Sequence, residues 1–336
     1  MEKLLSVVIP VYNMEAYLQE TLTSLECGER MELMQVVIVN DGSTDASLTI
    51  AQSWASRFPG IAWVVDKPNG GHGSAWNAGV ALCEGKYIAF LDSDDRAVDI
   101  ASYLKRLESA SADLVFNDKI IFNEVDGKET SERILGIAPG VHSLESEPLP
   151  LDKNSCRMVN FHCCIYKSHL LKDICPLFHE KTSYDDMILS TAPVCAAQTY
   201  EYSSLPFYRY RIGRGDQSMA PSVISRKIGQ QEVERKYAVD YAMARYPRED
   251  NSGKASSVHE IVRSICVTFY NFVMKLEPER REEYLKSWTE YVGSTVAQPE
   301  RIVEYRAYLR WPGPVYRLVL KGHHLARRIV RKWKSM

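Results

Sequence analysis

"KYIAFLDSDD", residues 86–95, runs five apolar positions straight into three carboxylates within four residues. The apolar run predicts a strand over 86–92, buried on both faces. Carboxylates crowded at the mouth of such a strand are costly unless a positive charge sits beside them. Working outward, "LLSVVIPVY" (4–12), "MQVVIVN" (34–40) and "IAWVVDK" (61–67) read as further strands. Between them, 15–25, 44–58 and 74–84 carry helical spacing. Strand–helix alternation of this kind predicts an α/β fold with a mostly parallel sheet and right-handed crossovers. Ligands of such sheets sit at the carboxyl ends of the strands. Here the four strands end in "PVYN", "NDGSTD", "PNGGHGS" and "DSDD", so polar, glycine-rich or acidic clusters occupy all four ends.

Each cluster suggests a chemistry. Asp92 and Asp94 form a D-x-D of the kind that holds Mg²⁺ or Mn²⁺, cations that take oxygen ligands and complete their shell with substrate phosphates. The plainer alternative is a solvated turn capping the next helix. Asp41 can accept from a base N–H or a ribose hydroxyl, or simply close an Asx-turn. The glycine-rich "NGGHGSAWNAG" (69–79) enters a helix and suits an anionic group. It is no dinucleotide fingerprint, because Trp76 stands where the third glycine belongs, and no P-loop lysine is present. His72 is either a phosphate or sugar contact or an ordinary loop histidine.

"SVVIPVYN", "VNDGSTDAS", "NGGHGSAWNAG" and "GKYIAFLDSDD", in this order and spacing, resemble the family 2 inverting glycosyltransferases of the GT-A fold. The likeness is close over about the first 100 residues and looser through "SYDDM" (183–187) and "FYRYRIGRGDQSM" (207–219). It implies a Rossmann-like sheet flanked by helices and a nucleoside diphosphate-sugar donor, usually a UDP-sugar. By resemblance, Pro10, Tyr12 and Asn13 line the nucleotide pocket and Asp41 reads uracil. Asn69, Gly70, Gly71, Asn77 and Ser93 fall among the donor contacts. Asp92 touches ribose and metal, and Asp94 is the more direct metal ligand. The acidic pair Asp185 and Asp186 matches the family's base position, with Asp186 expected as general base and Asp185 as acceptor contact or alternate. Against these stands the reading of a helix start whose acids complement the dipole. Trp76 departs from the arginine many members carry, so Arg209, Arg211 or Arg214 is expected to supply that charge. Gln217 and Ser218 belong to a loop that resembles the one closing over the diphosphate.

The remaining features bound the setting. The 336 residues suit one large α/β domain with an appendage, and 45% hydrophobic with 25% charged residues is an ordinary globular composition. The expected division is 1–220 catalytic (1–115 for the nucleotide-sugar, 116–220 for acceptor and base), 221–310 a helical appendage, and 311–336 a basic tail. A net charge of -2 gives no reason to expect nucleic acid. Residues 310–336, however, hold eight Lys/Arg and no acid. Their apolar positions share one helical face, which suits an anionic membrane surface or packing on the body. The eight cysteines form no CxxC, and neither a signal peptide nor an apolar run long enough to span a bilayer is apparent. The expectation is a cytoplasmic protein with reduced thiols, peripheral on the inner face of the cell membrane, acting on a glycan or lipid-linked acceptor of surface polysaccharide. Two rivals are a sugar-phosphate nucleotidyltransferase, disfavoured because "PVYNMEAY" lacks the Arg and Lys it would need, and a non-catalytic sugar-nucleotide scaffold.

Overall fold

The computed structural model describes residues 2–134, 137, 140–151, 160–215, 217 and 220–310. Ser218 and the whole tail 311–336 lie outside the described residues. The first half alternates as expected: β1 (Leu5–Val11), α1 (Leu18–Thr23), β2 (Met34–Asp41), α2 (Ser47–Ser56), β3 (Ala62–Lys67), α3 (His72–Leu82), β4 (Tyr87–Phe90). Then follow β5 (Arg96–Ala97), α4 (Ile100–Glu108), β6 (Leu114–Asn123), β7 (Glu129–Glu132), β8 (Val141–Ser143), β9 (Cys164–Lys167), α5 (His169–Lys172), α6 (Ala192–Ala196) and the long β10 (Thr199–Ile212). Helices close the chain: α7 (Pro221–Arg226), α8 (Ile228–Arg245), α9 (Gly253–Val273), α10 (Pro278–Thr295) and α11 (Val303–Arg310).

The strands form one mixed sheet in the order β3-β2-β1-β4-β9-β6-β10-β5, with β7 on β6 and β8 on β10. β1 pairs in parallel with both β2 and β4, so these three strands end on the same edge. Every residue of β1 and β2 is buried, as continuous β-branched runs require when helices cover both faces. Each such Val or Ile contributes about 1.5–3 kcal/mol by leaving water, which holds the edge rigid beneath the polar clusters. The turn "VDGK" (125–128) closes a hairpin that pairs β6 with β7.

β4 stops at Phe90, two residues short of the expected strand. Asp92 and Asp94 therefore sit on a turn, closed by Asp95 N–H donating to the Asp92 carbonyl (3.1 Å), and not on one strand face. Residues 221–310 are helical as expected. Their apolar side chains, from Ile224 to Ala307, belong to the same buried cluster as the sheet, so the helices and the sheet share one core. Among the described residues no helix is long and apolar enough to cross a membrane.

Candidate active site

A cleft of about 1070 Å³ opens along the carboxyl edge of the sheet. Of the residues expected from sequence, Pro10, Tyr12, Asp41, Asn69, Gly71, Asp92, Ser93, Asp94, Asp185 and Asp186 line it. Asn13, Gly70 and Asn77 are not brought to its wall. Asn13 ties the end of β1 to the loop after β2, its side-chain oxygen accepting from Thr44 N–H at 2.8 Å. Asn77 clamps a neighbouring loop: its amide donates to the Phe178 carbonyl (2.9 Å) and accepts from Leu177 N–H (3.0 Å).

At the nucleotide-like end, Asp41 is buried at the tip of β2 and holds the glycine-rich loop. Its carboxylate accepts from Lys67 Nζ (2.7 Å), Gly70 N–H (3.0 Å) and Gly71 N–H (2.8 Å). Two carboxylate oxygens offer about four acceptor directions, so one stays available to a ligand. Gly71 itself sits at φ 89°, a left-handed conformation that a side chain would strain, just before α3. Tyr12 stands at the rim with half its surface exposed.

The middle of the cleft is a charge relay of carboxylates and imidazoles. His72, on the first turn of α3, places Nδ1 3.1 Å from Asp185 Oδ1 and Nε2 3.5 Å from Asp92 Oδ1. Burial alone would lower the His72 pKa, but the two carboxylates outweigh it and raise it well above 6.5, so the ring is an imidazolium. The same imidazolium and His162 hold Asp92 well below the carboxylate range against the cost of burial. Asp94 moves the other way: burial and the nearby Asp92 push it up to about 6, although Arg214 Nη2 lies 3.0 Å from its Oδ2. That contact makes Arg214 the cleft's counter-charge at this point. Arg209 instead pairs with Glu129 (2.6 Å), and Arg211 runs under the turn, its Nε donating to the Asp94 carbonyl (2.9 Å). Trp76 is fully buried among Phe90, Phe161 and Phe178, so this position serves the core and not the cleft.

Among the described residues, the groups with metal-ligand spacing are Asp92, Asp95 and His162. Asp95 is already committed, accepting from the Tyr208 hydroxyl (2.8 Å) and from Arg211 N–H (2.6 Å), and it braces the turn from below. Asp94, not Asp95, faces the cleft. His162 approaches Asp92 Oδ2 with Nε2 at 3.7 Å, and neither ring nitrogen has a hydrogen-bond partner. Two cleft-facing carboxylates make a donor set that fits a divalent cation such as Mn²⁺ or Mg²⁺, with the His162 imidazole beside them.

Beyond the imidazolium lies the acidic pair, on a single 3₁₀ segment, Asp185–Ser190. Asp185 is buried against His72. Asp186 keeps partial contact with the cleft. Burial, then the Asp185 charge, raises its carboxyl to about 7, with His72 and the buried Arg235 opposing. The close approach of α3 to this pair needs Gly73: an added Cβ would lie 2.5 Å from Asp185 Oδ2 and 2.3 Å from the His179 carbonyl. Sequence reading gave His162, Gln231 and Arg235 no place in a site. "FHCC" and a polar pair on a helix carry no signal of their own, and only the fold turns them toward the cleft.

Residues 6–175 match the family model described as glycosyl transferase family 2. Among curated relatives, glycosyltransferase GlyA of Streptococcus pneumoniae is 27% identical over 222 residues, 64% of this chain and 31% of GlyA. The matched segment thus spans about a third of that relative. The structure of S. aureus TarS 1–349 in complex with UDP-GlcNAc superposes with a TM-score of 0.56 at 17% identity, covering 91% of each chain. The mannosyltransferase PcManGT from Pyrobaculum calidifontis, in complex with GDP-Man and Mn²⁺, gives 0.52 at 13% identity, covering 100% of this chain and 89% of that one. At these identities the likeness speaks for the fold: the flanked sheet with C-terminal helices expected from the sequence is the one these proteins share.

Proposed function

The chain belongs to glycosyl transferase family 2, and we propose that it moves a sugar from a UDP-sugar to a hydroxyl of a glycan or lipid-linked acceptor. In this reading the reaction depends on Mn²⁺ or Mg²⁺ and inverts the anomeric carbon. The observation that carries it is a single cleft with three successive chemistries. Tyr12 and Asp41 suit a nucleoside at one end, Asp92 and Asp94 stand in the middle, and the acidic pair follows. The UDP-GlcNAc and GDP-Man held by the structural neighbours support a nucleotide-sugar donor.

Asp94 and Asp92 would hold the cation, with His162 beside them. Bound there, it would neutralise charge on the leaving diphosphate. The chain's own residues do the rest. Tyr12 and Pro10 cover the base, and the remaining acceptor direction of Asp41 takes a base N–H. Arg214 adds positive charge where the diphosphate leaves. Asp186 takes the proton of the acceptor hydroxyl as its oxygen bonds to the anomeric carbon and the bond from that carbon to the diphosphate oxygen breaks. A base with a pKa near the working pH is well matched to this task. His72 fixes Asp185, and through it the segment that presents Asp186, relative to Asp92. Base and leaving group are thereby held in one frame.

The tail 311–336 would hold the protein to the anionic inner face of the cell membrane, where a lipid-linked acceptor of surface polysaccharide is found. Its charge, seven Lys/Arg and no acid, supports this. The test of the main reading is nucleotide release. Purified protein with Mn²⁺ or Mg²⁺ is offered a panel of UDP-, GDP- and dTDP-sugars, and slow donor hydrolysis is followed with Asp94→Ala as control. Release of UDP from one donor, lost with EDTA and in the variant, is the expected result. Release that survives both would sink the assignment of the acidic turn.

A further inference from the structure

The far end of the cleft is built by helices that lie outside the family match, which ends at residue 175. α8 and α9 contribute Gln231, Arg235, Thr268 and Phe272 to its wall. Gln231 and Arg235 lie one helical turn apart on the buried face of α8, between Ile228 and Val239. A face that packs into a core should be apolar. Here it carries an amide 1% exposed and a guanidinium 2% exposed. Neither the carbonyl nor the amino group of the Gln231 side chain has a partner, and Arg235 Nε has none either. The Tyr184 side chain lies against the Gln231 amide. Buried polar atoms left unpaired cost free energy, and a wall that keeps three of them in the same cleft as the proposed base is built for something that pairs with them.

We propose that Gln231 and Arg235 form the subsite that holds the saccharide unit of the acceptor, next to Asp186. The inference rests on the reading of this cleft as a site of glycosyl transfer. An unpaired amide offers acceptor and donors together, which is what a sugar hydroxyl, itself donor and acceptor, can satisfy at both ends. The Arg235 guanidinium supplies donors only, and stays a cation although burial lowers its pKa to about 10. Phe272 lines the same wall and packs under the Arg235 guanidinium, 5.0 Å from its ring centroid, which holds that side chain in place. The cleft volume of about 1070 Å³ is at the top of the range of ~300–1,000 Å³ for small-molecule sites, which leaves room for an acceptor sugar beyond the donor.

The test uses the full chain, the donor that gives nucleotide release, and methyl β-glycosides of glucose, galactose and N-acetylglucosamine as surrogate acceptors. Transfer and hydrolysis are measured in the same reaction for the wild type, Gln231→Leu, which keeps the volume and removes the polar atoms, and Gln231→Asn, which keeps the amide. Saturation-transfer NMR of each glycoside with UDP reads binding directly. The expected result is transfer to at least one glycoside by the wild type. In Gln231→Leu the ratio of transfer to hydrolysis should fall by about tenfold or more through a raised acceptor KM, with weakened NMR contact, and Gln231→Asn should lie between. An unchanged ratio overturns the subsite, whether both rates hold or fall together. Wild-type hydrolysis with neither transfer to nor binding of any glycoside overturns it as well. No nucleotide release from any donor in the wild type would instead refute the glycosyl-transfer reading on which the subsite rests.

Discussion

Replacing Asp186 with asparagine removes the proposed base while keeping its shape. Burial first, and the Asp185 carboxylate second, raise this carboxyl from the ordinary 3.8 to about 7. A base must be ionised to act, and at pH 6 such a group is only about one-tenth ionised. The wild-type rate should therefore fall about tenfold per pH unit below ~7 and level off above it. Asp186→Asn should lose ~10²–10⁴-fold in kcat and lose that acid limb. Stability should move the other way. The folded protein binds this proton more tightly than the unfolded chain does, so stability falls as pH rises from 3.8 through about 7. At ~1.4 kcal/mol per pH unit the full rise corresponds to ~4 kcal/mol. Asp186 is partly exposed on the cleft, and solvent screening there reduces the effect to about 1–2 kcal/mol. Above about pH 8 the variant should melt higher by about 2–4 °C. Nucleotide release and transfer across pH, with thermal melts of both proteins, check both halves. A variant within about threefold of the wild-type kcat, or one whose rate still turns down near pH 7 and not only near the Asp94 value of about 6, would refute Asp186 as the base.

Tyr12→Ala should raise the donor KM by about 5–100-fold with little change in kcat, because a stacked aromatic contributes ~1–3 kcal/mol to holding a base; titration with UDP reads this directly. Gly73→Ala puts a methyl against Asp185 and the His179 carbonyl. It should cost about 1–3 kcal/mol of stability and disturb the acidic pair, measured as a lower Tm together with a lower kcat. Removing 311–336 should abolish co-sedimentation with vesicles containing anionic lipid at low salt and leave donor hydrolysis in solution unaffected; retention of binding by the shortened chain would place the membrane contact elsewhere.

Much of this was legible in the sequence because it depends on short-range pattern. The all-buried runs of β1 and β2 and the clusters at their ends fixed the parallel part of the sheet, β1 to β4, and the edge along which the cleft opens. Ten of the thirteen donor, metal and base residues expected at the site line the cleft; those of the first hundred residues lie at or within four positions of the ends of β1 to β4, which leaves them little freedom about where they go, and Asp185 and Asp186 arrive on a separate 3₁₀ segment. The exceptions are instructive. Asn13 and Asn77 carry side chains that could serve a ligand or the backbone, and local pattern does not distinguish these uses; in the fold their amides pair with the backbone of distant loops. Trp76 could not be placed from its position on α3, but three phenylalanines from other elements enclose it.

By itself the sequence determined the fold class and the family, and it singled out the carboxylates Asp41, Asp92, Asp94, Asp185 and Asp186 as candidates. What only the tertiary structure decided is how they meet. His72 joins Asp92 to Asp185 across a sequence separation of 113 residues from its own position to the acidic pair, and this joining raises the pKa of His72 and helps lower that of Asp92. The unpaired amide of Gln231 on α8 comes to line the same cleft as Asp186 only because the helices share a core with the sheet. Strand propensity acts over neighbouring residues, whereas the pKa of a buried carboxyl and the pairing of a buried amide depend on groups brought close in space, and the folded chain alone fixes those distances.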